Sequence, residues 1–212
     1  MRLSFKRTVL VHIRNLEQLR AIVQQATTQF PKKSLPLREL KPAAVLAPFF
    51  LKKDEIHLLF TRRSQSMRNH KGEISFPGGA QDLTDQDFIQ TALRETEEEI
   101  GVKADDVEII GELNHWITYT KFRITPIVGI IPYPYAFRIS SYEIDEIIEI
   151  PLSHLIKPAN RRVVYRSSPI NPDQQIKLHY FDYQQHTVWG MTGLILSELL
   201  GKMESVAPDF LS

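Results

Sequence analysis

Apolar side chains recur along this chain with two periods, and the switches between them mark out its elements. Residues 16–30 repeat every three to four positions, the spacing of an amphipathic helix, and residues 31–42 form a connector containing prolines and lysines. Residues 41–51 and 56–61 then read as strands, and the helical period returns over 87–100. Beyond it, residues 107–113, 116–119 and 122–132 are rich in β-branched and aromatic residues and read as extended. Residues 143–149 continue as a strand ending at Pro151, 151–156 as a short helix, and 160–172 as a loop or hairpin. An alternating strand over 177–183 and a helix over 191–200 close the pattern. Strands on both sides of a central helix, with a terminal helix, predict an α/β fold with a mixed sheet between helices.

The central helix carries the densest chemistry. Arg94-Glu95-Thr96-Glu97-Glu98-Glu99-Ile100-Gly101-Val102 packs four carboxylates into five positions. At about 100° of rotation per residue, Glu98 falls at about −60° and Glu99 at about +40° from Glu95, so these three acids share one arc. Ile89, Leu93, Thr96 and Ile100 fall together on another arc that would seat the helix on a core, and Glu97 points away from both. Like charges three and four residues apart weaken a helix by a few tenths of a kcal/mol per pair. The cluster therefore needs a cation or an Arg partner, and Arg94 stands four residues before Glu98. Hard carboxylate oxygens suit Mg²⁺ or Mn²⁺ holding a phosphate-bearing substrate. The competing explanation is a solvated acidic face, common on helices.

The residues upstream favour the metal. Phe76-Pro77-Gly78-Gly79 places a rigid turn and two glycines before Asp82, Asp85 and Asp87, which lead into the helix. Such a turn lets backbone amides approach a ligand, and an Asp at the N-cap starts a helix. Arg62, Arg63, Arg68, His70 and Lys71 gather positive charge just before it, and a diphosphate held between cations and metal accounts for that polarity. Arg63 and Arg68 are the candidates for phosphate contact, Arg62 and Lys71 read as solvated, and His70 fits a loop hydrogen bond as well as a ligand.

Arg94, Glu95, Glu98, Glu99 and Gly101 resemble the Arg-Glu-x-x-Glu-Glu-x-Gly core of the Nudix hydrolases. Thr96 stands where that box prefers an aliphatic residue, and the loop between Gly79 and Arg94 is one residue longer than the general pattern. Ala80 then falls at the glycine position and Gln86 or Asp85 near the first glutamate. The segment before the box is similar to the added motif of the coenzyme A pyrophosphatase branch. It matches at Leu58, Leu59, Thr61, Arg63, Ser64, Arg68, His70, Gly72, Phe76, Pro77, Gly78 and Gly79, with Met67 and Glu73 as mild departures. The likeness returns at Val188-Trp189-Gly190 and covers most of residues 40–200.

The resemblance implies a Nudix-type α/β/α sandwich, with a helical extension and connector over residues 1–40 and the hydrolase domain over 41–205. It also implies metal-assisted cleavage of coenzyme A or an acyl-CoA to 3′,5′-ADP and (acyl-)4′-phosphopantetheine. Glu95 and Glu99 would be metal ligands, with Glu98 a third ligand or the base that activates water. Arg94 would orient the acids, and Arg63, Arg68, Gly78 and Gly79 would bind substrate. Two rivals stand beside this reading: a Nudix diphosphatase for ADP-ribose, a dinucleotide or an oxidised nucleotide, and a catalytically silent nucleotide sensor.

Global features limit the partners. The chain has 212 residues, 42% hydrophobic and 24% charged, with a formal net charge of +1 and no Cys. These are ordinary values for one globular domain, without the basic excess of a nucleic-acid surface or a disulfide framework. No run approaches a membrane span, the basic residues 1–16 show no cleavage-like signature, and the C-terminus lacks the peroxisomal tripeptide, so a cytoplasmic enzyme with a small-molecule substrate is expected. Whether it forms a homodimer is open. Outside the motifs, Trp116 and Trp189 read as core in preference to base-stacking residues. Glu143, Glu146 and Glu149 read as solvated acids and stay outside the candidate site, and His115, His179 and His186 have no metal-ligand spacing.

Overall fold

A computed structural model describes residues 15–29, 40–66, 71–168, 171 and 173–208. Arg68 and His70 lie outside them, as do residues 1–14 and 30–39 of the expected N-terminal extension and connector. The chain runs α1 (Leu16–Gln29), β1 (Lys41–Lys52), β2 (Glu55–Arg63), β3 (Ile74–Ser75), β4 (Gly78–Ala80) and α2 (Phe88–Ile100). It continues through β5 (Glu108–Glu112), β6 (Trp116–Ile117), β7 (Phe122–Ile130), β8 (Ile144–Pro151) and α3 (Leu152–Leu155). The last elements are β9 (Arg161–Ser167), β10 (Gln175–Tyr183), β11 (His186–Val188) and α4 (Gly190–Val206). Among the described residues no helix is long and apolar enough to cross a membrane.

β1 to β8 form one mixed sheet in which β1 and β7 run parallel and the other pairs antiparallel. β7 occupies one whole edge of β1, from Lys41 to Phe49, while β2 and β4 share the other. β2 pairs with β1 only over Glu55–Leu58 and then with β3 at Thr61 and Arg62. β1 and β2 therefore diverge, and residues 74–80 fill the notch between them, with Leu46 N–H donating to the Pro77 carbonyl at 2.9 Å.

The period of two along the strands assigns side chains to the two faces. Ala47, Phe49, Leu58, Phe60, Val128 and Ile130 face a large apolar layer with Leu19 and Val23 of α1 and Ile195, Leu196, Leu199 and Leu200 of α4. Ala44, Leu46, Phe50, Leu59, Ile127 and Ile131 face the opposite way, toward Ala92 and Ile100 of α2. This is the α/β sandwich with a mixed central sheet that the pattern predicts. β9, β10 and β11 form a separate three-stranded sheet.

One sequence expectation is settled in favour of the hairpin and three change. The segment expected as a loop or hairpin contains β9, paired with β10 from Arg161↔Phe181 to Ser167↔Gln175. Phe76-Pro77-Gly78-Gly79 does not end as a free turn, because Gly78, Gly79 and Ala80 pair with Val45, Ala44 and Ala43. α2 seats itself on Thr91, Ala92, Thr96, Glu99 and Ile100, an arc rotated toward the acids, with Leu93 only half-buried. Trp189 is 43% exposed and stacks on Tyr180, whereas Trp116 packs against the main core and donates to Glu198.

Candidate active site

The acidic helix begins and ends on specific local chemistry. Asp87 caps it, accepting from Gln90 N–H at 2.8 Å, and Gly101 ends it at φ +74°, a left-handed conformation that glycine adopts without a Cβ clash. Between these caps the acids meet different surroundings. Glu97 is exposed, Glu98 has 58% of its side chain exposed, Glu95 is largely covered, and Glu99 is 2% exposed.

Arg94 is the hub. Its Nε and Nη2 donate to the Asp85 carboxylate at 3.1 and 3.0 Å, and Nη2 also donates to the Ala80 carbonyl at 3.0 Å. The same guanidinium lies 2.9 Å from Glu95 Oε1 and 3.1 Å from Glu98 Oε2. One side chain thus ties β4, the loop before α2 and two acids of the helix. Glu98, the partner expected from i,i+4 spacing, is only one of its contacts. Asp85, not Gln86, is the loop acid that meets the hub, and Arg94 holds its carboxyl below the usual range. The Arg94 guanidinium is itself held protonated, chiefly by Asp85.

Glu99 is the least comfortable charge in the site. Burial pushes its carboxyl up to about 8, opposed by the Arg63 guanidinium and reinforced by Glu95 and Glu143. Arg63 Nη1 stands 3.7 Å from Glu99 Oε1, beyond a hydrogen bond, and Glu99 Oε2 has no hydrogen-bond partner among the described residues. Glu95 is also raised, first by burial, against Arg94, with Glu98 and Glu143 adding repulsion. Glu143, set aside on sequence grounds, therefore acts electrically on both acids. Its neighbours Glu146 and Glu149 do not share that place: Glu146 pairs with Arg62 at 3.3 Å and Glu149 with Lys52. The signal that could have separated Glu143 was absent from local spacing, because the turn carrying it reaches the site through long-range pairing.

The glycines border the same cluster. A Cβ on Gly79 would lie 2.4 Å from the Glu95 carboxyl carbon, so this carboxylate rests against bare backbone. Gly78, at φ +152°, would drive a Cβ to 2.4 Å from the Ala44 carbonyl, and its amide hydrogen-bonds Glu99. The structure thus brings Arg63, Gly78, Gly79, Arg94, Glu95, Glu98 and Glu99 together.

Among the described residues no three acidic or imidazole side chains converge into a finished metal cage. A hard divalent ion does not require one. Mg²⁺ keeps several waters and binds through one or two carboxylates plus substrate phosphates. Glu95 and Glu99 supply oxygen donors, Glu99 Oε2 is a buried acceptor without a hydrogen bond among the described residues, and the surplus of acids would be relieved by a cation. The residues present fit the group.

Comparison with known proteins identifies the family. Residues 40–159 match the model of the NUDIX domain. The uncharacterized Nudix hydrolase NudL of Enterobacter sp. (strain 638) is 38% identical over 174 residues, covering 80% of this chain and 86% of its own. The protein of the same name in Klebsiella pneumoniae (strain 342) is 35% identical over 193 residues, covering 89% and 94%. Among solved structures, a NUDIX hydrolase from Alicyclobacillus acidocaldarius gives a TM-score of 0.48 at 18% identity, covering 82% of this chain and 97% of that one. With the domain match spanning more than half of the sequence and such relatives aligned along most of both chains, this protein belongs to the Nudix hydrolase family.

Proposed function

We propose that this Nudix hydrolase cleaves the diphosphate of coenzyme A or an acyl-CoA, releasing 3′,5′-ADP and 4′-phosphopantetheine or its acylated form. The observation that carries the reading is the position of the segment resembling the coenzyme A branch. Its Arg63 faces Glu99, and its Gly78 and Gly79 border Glu99 and Glu95, so the specificity motif and the acidic helix form one surface.

Glu95 and Glu99 would hold the metal, with Glu98 at the exposed edge as a third ligand or the base. Bound Mg²⁺ or Mn²⁺ supplies neutralisation of phosphate oxygens and a more acidic water. Water oxygen attacks one phosphorus, the bridging P–O bond breaks, and in the base reading Glu98 accepts the proton from water. Arg94 keeps Glu95 and Glu98 oriented through its fork. Arg63 binds diphosphate oxygens, as does Arg68 on the strength of its place in the motif, and the Gly78–Gly79 backbone lies against the substrate. The buried, unsatisfied Glu99 argues against a silent sensor, since a protein that only binds nucleotides gains nothing from that charge.

The test is incubation with CoA, ADP-ribose, NADH and 8-oxo-dGTP in Mg²⁺ and in Mn²⁺, with products identified by mass. CoA is expected to turn over fastest and give the two named halves. Rapid cleavage of another substrate with CoA untouched would move the assignment to the other diphosphatases.

A further inference from the structure

The turn that carries Glu143 also carries the most exposed aromatic side chain among the described residues, Tyr142, at 70%. Its backbone is fixed from both sides of the acid cluster. The amides of Arg138 and Ser140 donate to the carbonyls of Ile100 and Glu99 at the end of α2, each at 2.9 Å. From the arginine-bearing segment, Ser64 N–H donates to the Glu143 carbonyl at 2.7 Å and Ser66 Oγ to the Tyr142 carbonyl at 2.9 Å. Within the turn, Glu143 and Ile144 N–H donate to the Ser140 carbonyl at 2.9 and 2.8 Å. A ring this exposed adds little to the core, yet these bonds hold the backbone that carries it against the end of the acidic helix and the segment that follows Arg63.

We propose that Tyr142 is a specificity-determining residue whose ring stacks on the planar base at one end of the substrate diphosphate. The proposal rests on the reading of the site as one for a nucleoside diphosphate derivative such as coenzyme A. A flat base covers a lone exposed ring in a single contact, and such stacking is sequence-tolerant and strong. A flexible arm such as pantetheine must be ordered rotor by rotor and gains less from one ring. The backbone bonds that fix the turn pre-place the residue that carries the ring, so binding has only two side-chain torsions to order. The phosphates meet Arg63 and the acid-held metal, the base meets Tyr142, and the two recognitions are separable.

Calorimetric titration in Mg²⁺ separates them, using full-length wild-type, Y142A, Y142F and I139A. The ligands are the product halves with and without a base: 3′,5′-ADP and 4′-phosphopantetheine, then AMP and ribose 5-phosphate. Y142A is expected to raise the Kd of 3′,5′-ADP and AMP roughly 10-fold and leave the baseless halves unchanged. Y142F keeps the ring and should bind as wild type does. I139A removes another exposed apolar side chain of the same turn and should change nothing. An equal loss for both halves, no loss at all, Y142F behaving as Y142A, I139A reproducing the effect, or a wild-type protein that binds none of the four ligands overturns the proposal. Cleavage of ADP-ribose with CoA untouched would defeat the coenzyme A reading alone, leaving the stacking to be decided by AMP against ribose 5-phosphate.

Discussion

Two glutamates on helices packed against opposite faces of one sheet, Glu99 buried and Glu198 largely covered, have had opposite treatment. Glu198 of α4 receives Asn114 N–H at 3.2 Å, Asn114 Nδ2 at 2.7 Å and Trp116 Nε1 at 2.7 Å, with Lys202 Nζ 3.3 Å away. Glu99 of α2 is buried more deeply, has Arg63 at 3.7 Å and keeps one oxygen without a hydrogen bond among the described residues. The first charge is closed by its own fold and ties α4 to β6 and the segment before it. The second is left for something else to complete. Burial of an acid is thus a poor sign of function by itself, and the state of its hydrogen-bond partners is a better one.

Breaking each glutamate should therefore fail in different measurements. Glu99→Gln keeps the shape and removes a charge that burial disfavours, so the melting temperature should hold or rise while kcat falls. The fall should exceed the roughly 100-fold at the top of the range for groups that only support a metal ligand. Glu198→Ala removes the acceptor of Trp116 Nε1 and should cost about 2 kcal/mol, with kcat preserved at a temperature where the variant is folded. A Glu99→Gln protein that melts early, or that turns over normally, would erase the distinction.

Gly79→Ala sharpens the comparison from the open side. The added methyl would lie 2.4 Å from the Glu95 carboxyl carbon, and the flexible end of that side chain must move, since Ala43, Ala44 and Val45 hold β4 in the sheet. Mn²⁺ affinity should drop by up to roughly 100-fold with little change in melting temperature. Equal affinity in both proteins, read by Mn²⁺ titration, would remove Glu95 from the metal set.

The two faces of the sheet also differ in how legible they were. On the apolar face, alternation along β1, β2 and β7 and the spacing in α4 carry the information locally, and sequence predicts those elements closely. On the α2 face the helix itself is legible, but its orientation is not. A periodicity argument treats every Glu as outward-facing, so it centred the seat on Ile89 and Leu93, of which Ile89 does pack against the core, while the fold turned Thr91, Ala92 and Glu99 inward. Glu143 escaped because its place depends on a long-range contact with Ser64, whereas the sequence offered Asp85 beside Gln86 and the contact with Arg94 decides between them. β9 was legible only as one of two alternatives, a loop or a hairpin, because five of its seven residues are exposed and no apolar alternation announces it.

The open glutamate should also make metal binding depend on pH. In the metal-free fold Glu99 keeps its proton up to about 8, against an ordinary value of 4.5. Between those values the folded chain holds a proton the unfolded chain has lost, so this group's stabilising effect is complete below 4.5 and is lost as pH rises through 8. A metal must displace that proton. Mn²⁺ affinity should rise about tenfold per pH unit up to the Glu99 value and then level off. In EDTA the melting temperature should fall over the same window, and Glu99→Gln should flatten both slopes. A binding curve independent of pH in wild type would mean that Glu99 is not the proton-exchanging ligand.

The smallest effect belongs to Glu97, which stands in the same acidic run and yet on the solvent side of α2. Its backbone carbonyl accepts from Gly101 N–H at 2.9 Å, a contact any residue would keep, while its side chain is exposed. Glu97→Gln removes one of four like charges without touching the hub at Arg94, so helix repulsion eases by a few tenths of a kcal/mol. Activity should stay within about twofold of wild type and stability within about 0.5 kcal/mol. Loss of activity on the scale of Glu99→Gln would show that the whole run acts as one field. The expected near-silence would instead confine the chemistry to the acids that meet Gly78, Gly79, Arg63 and Arg94, since Glu97 differs from them in position and not in kind.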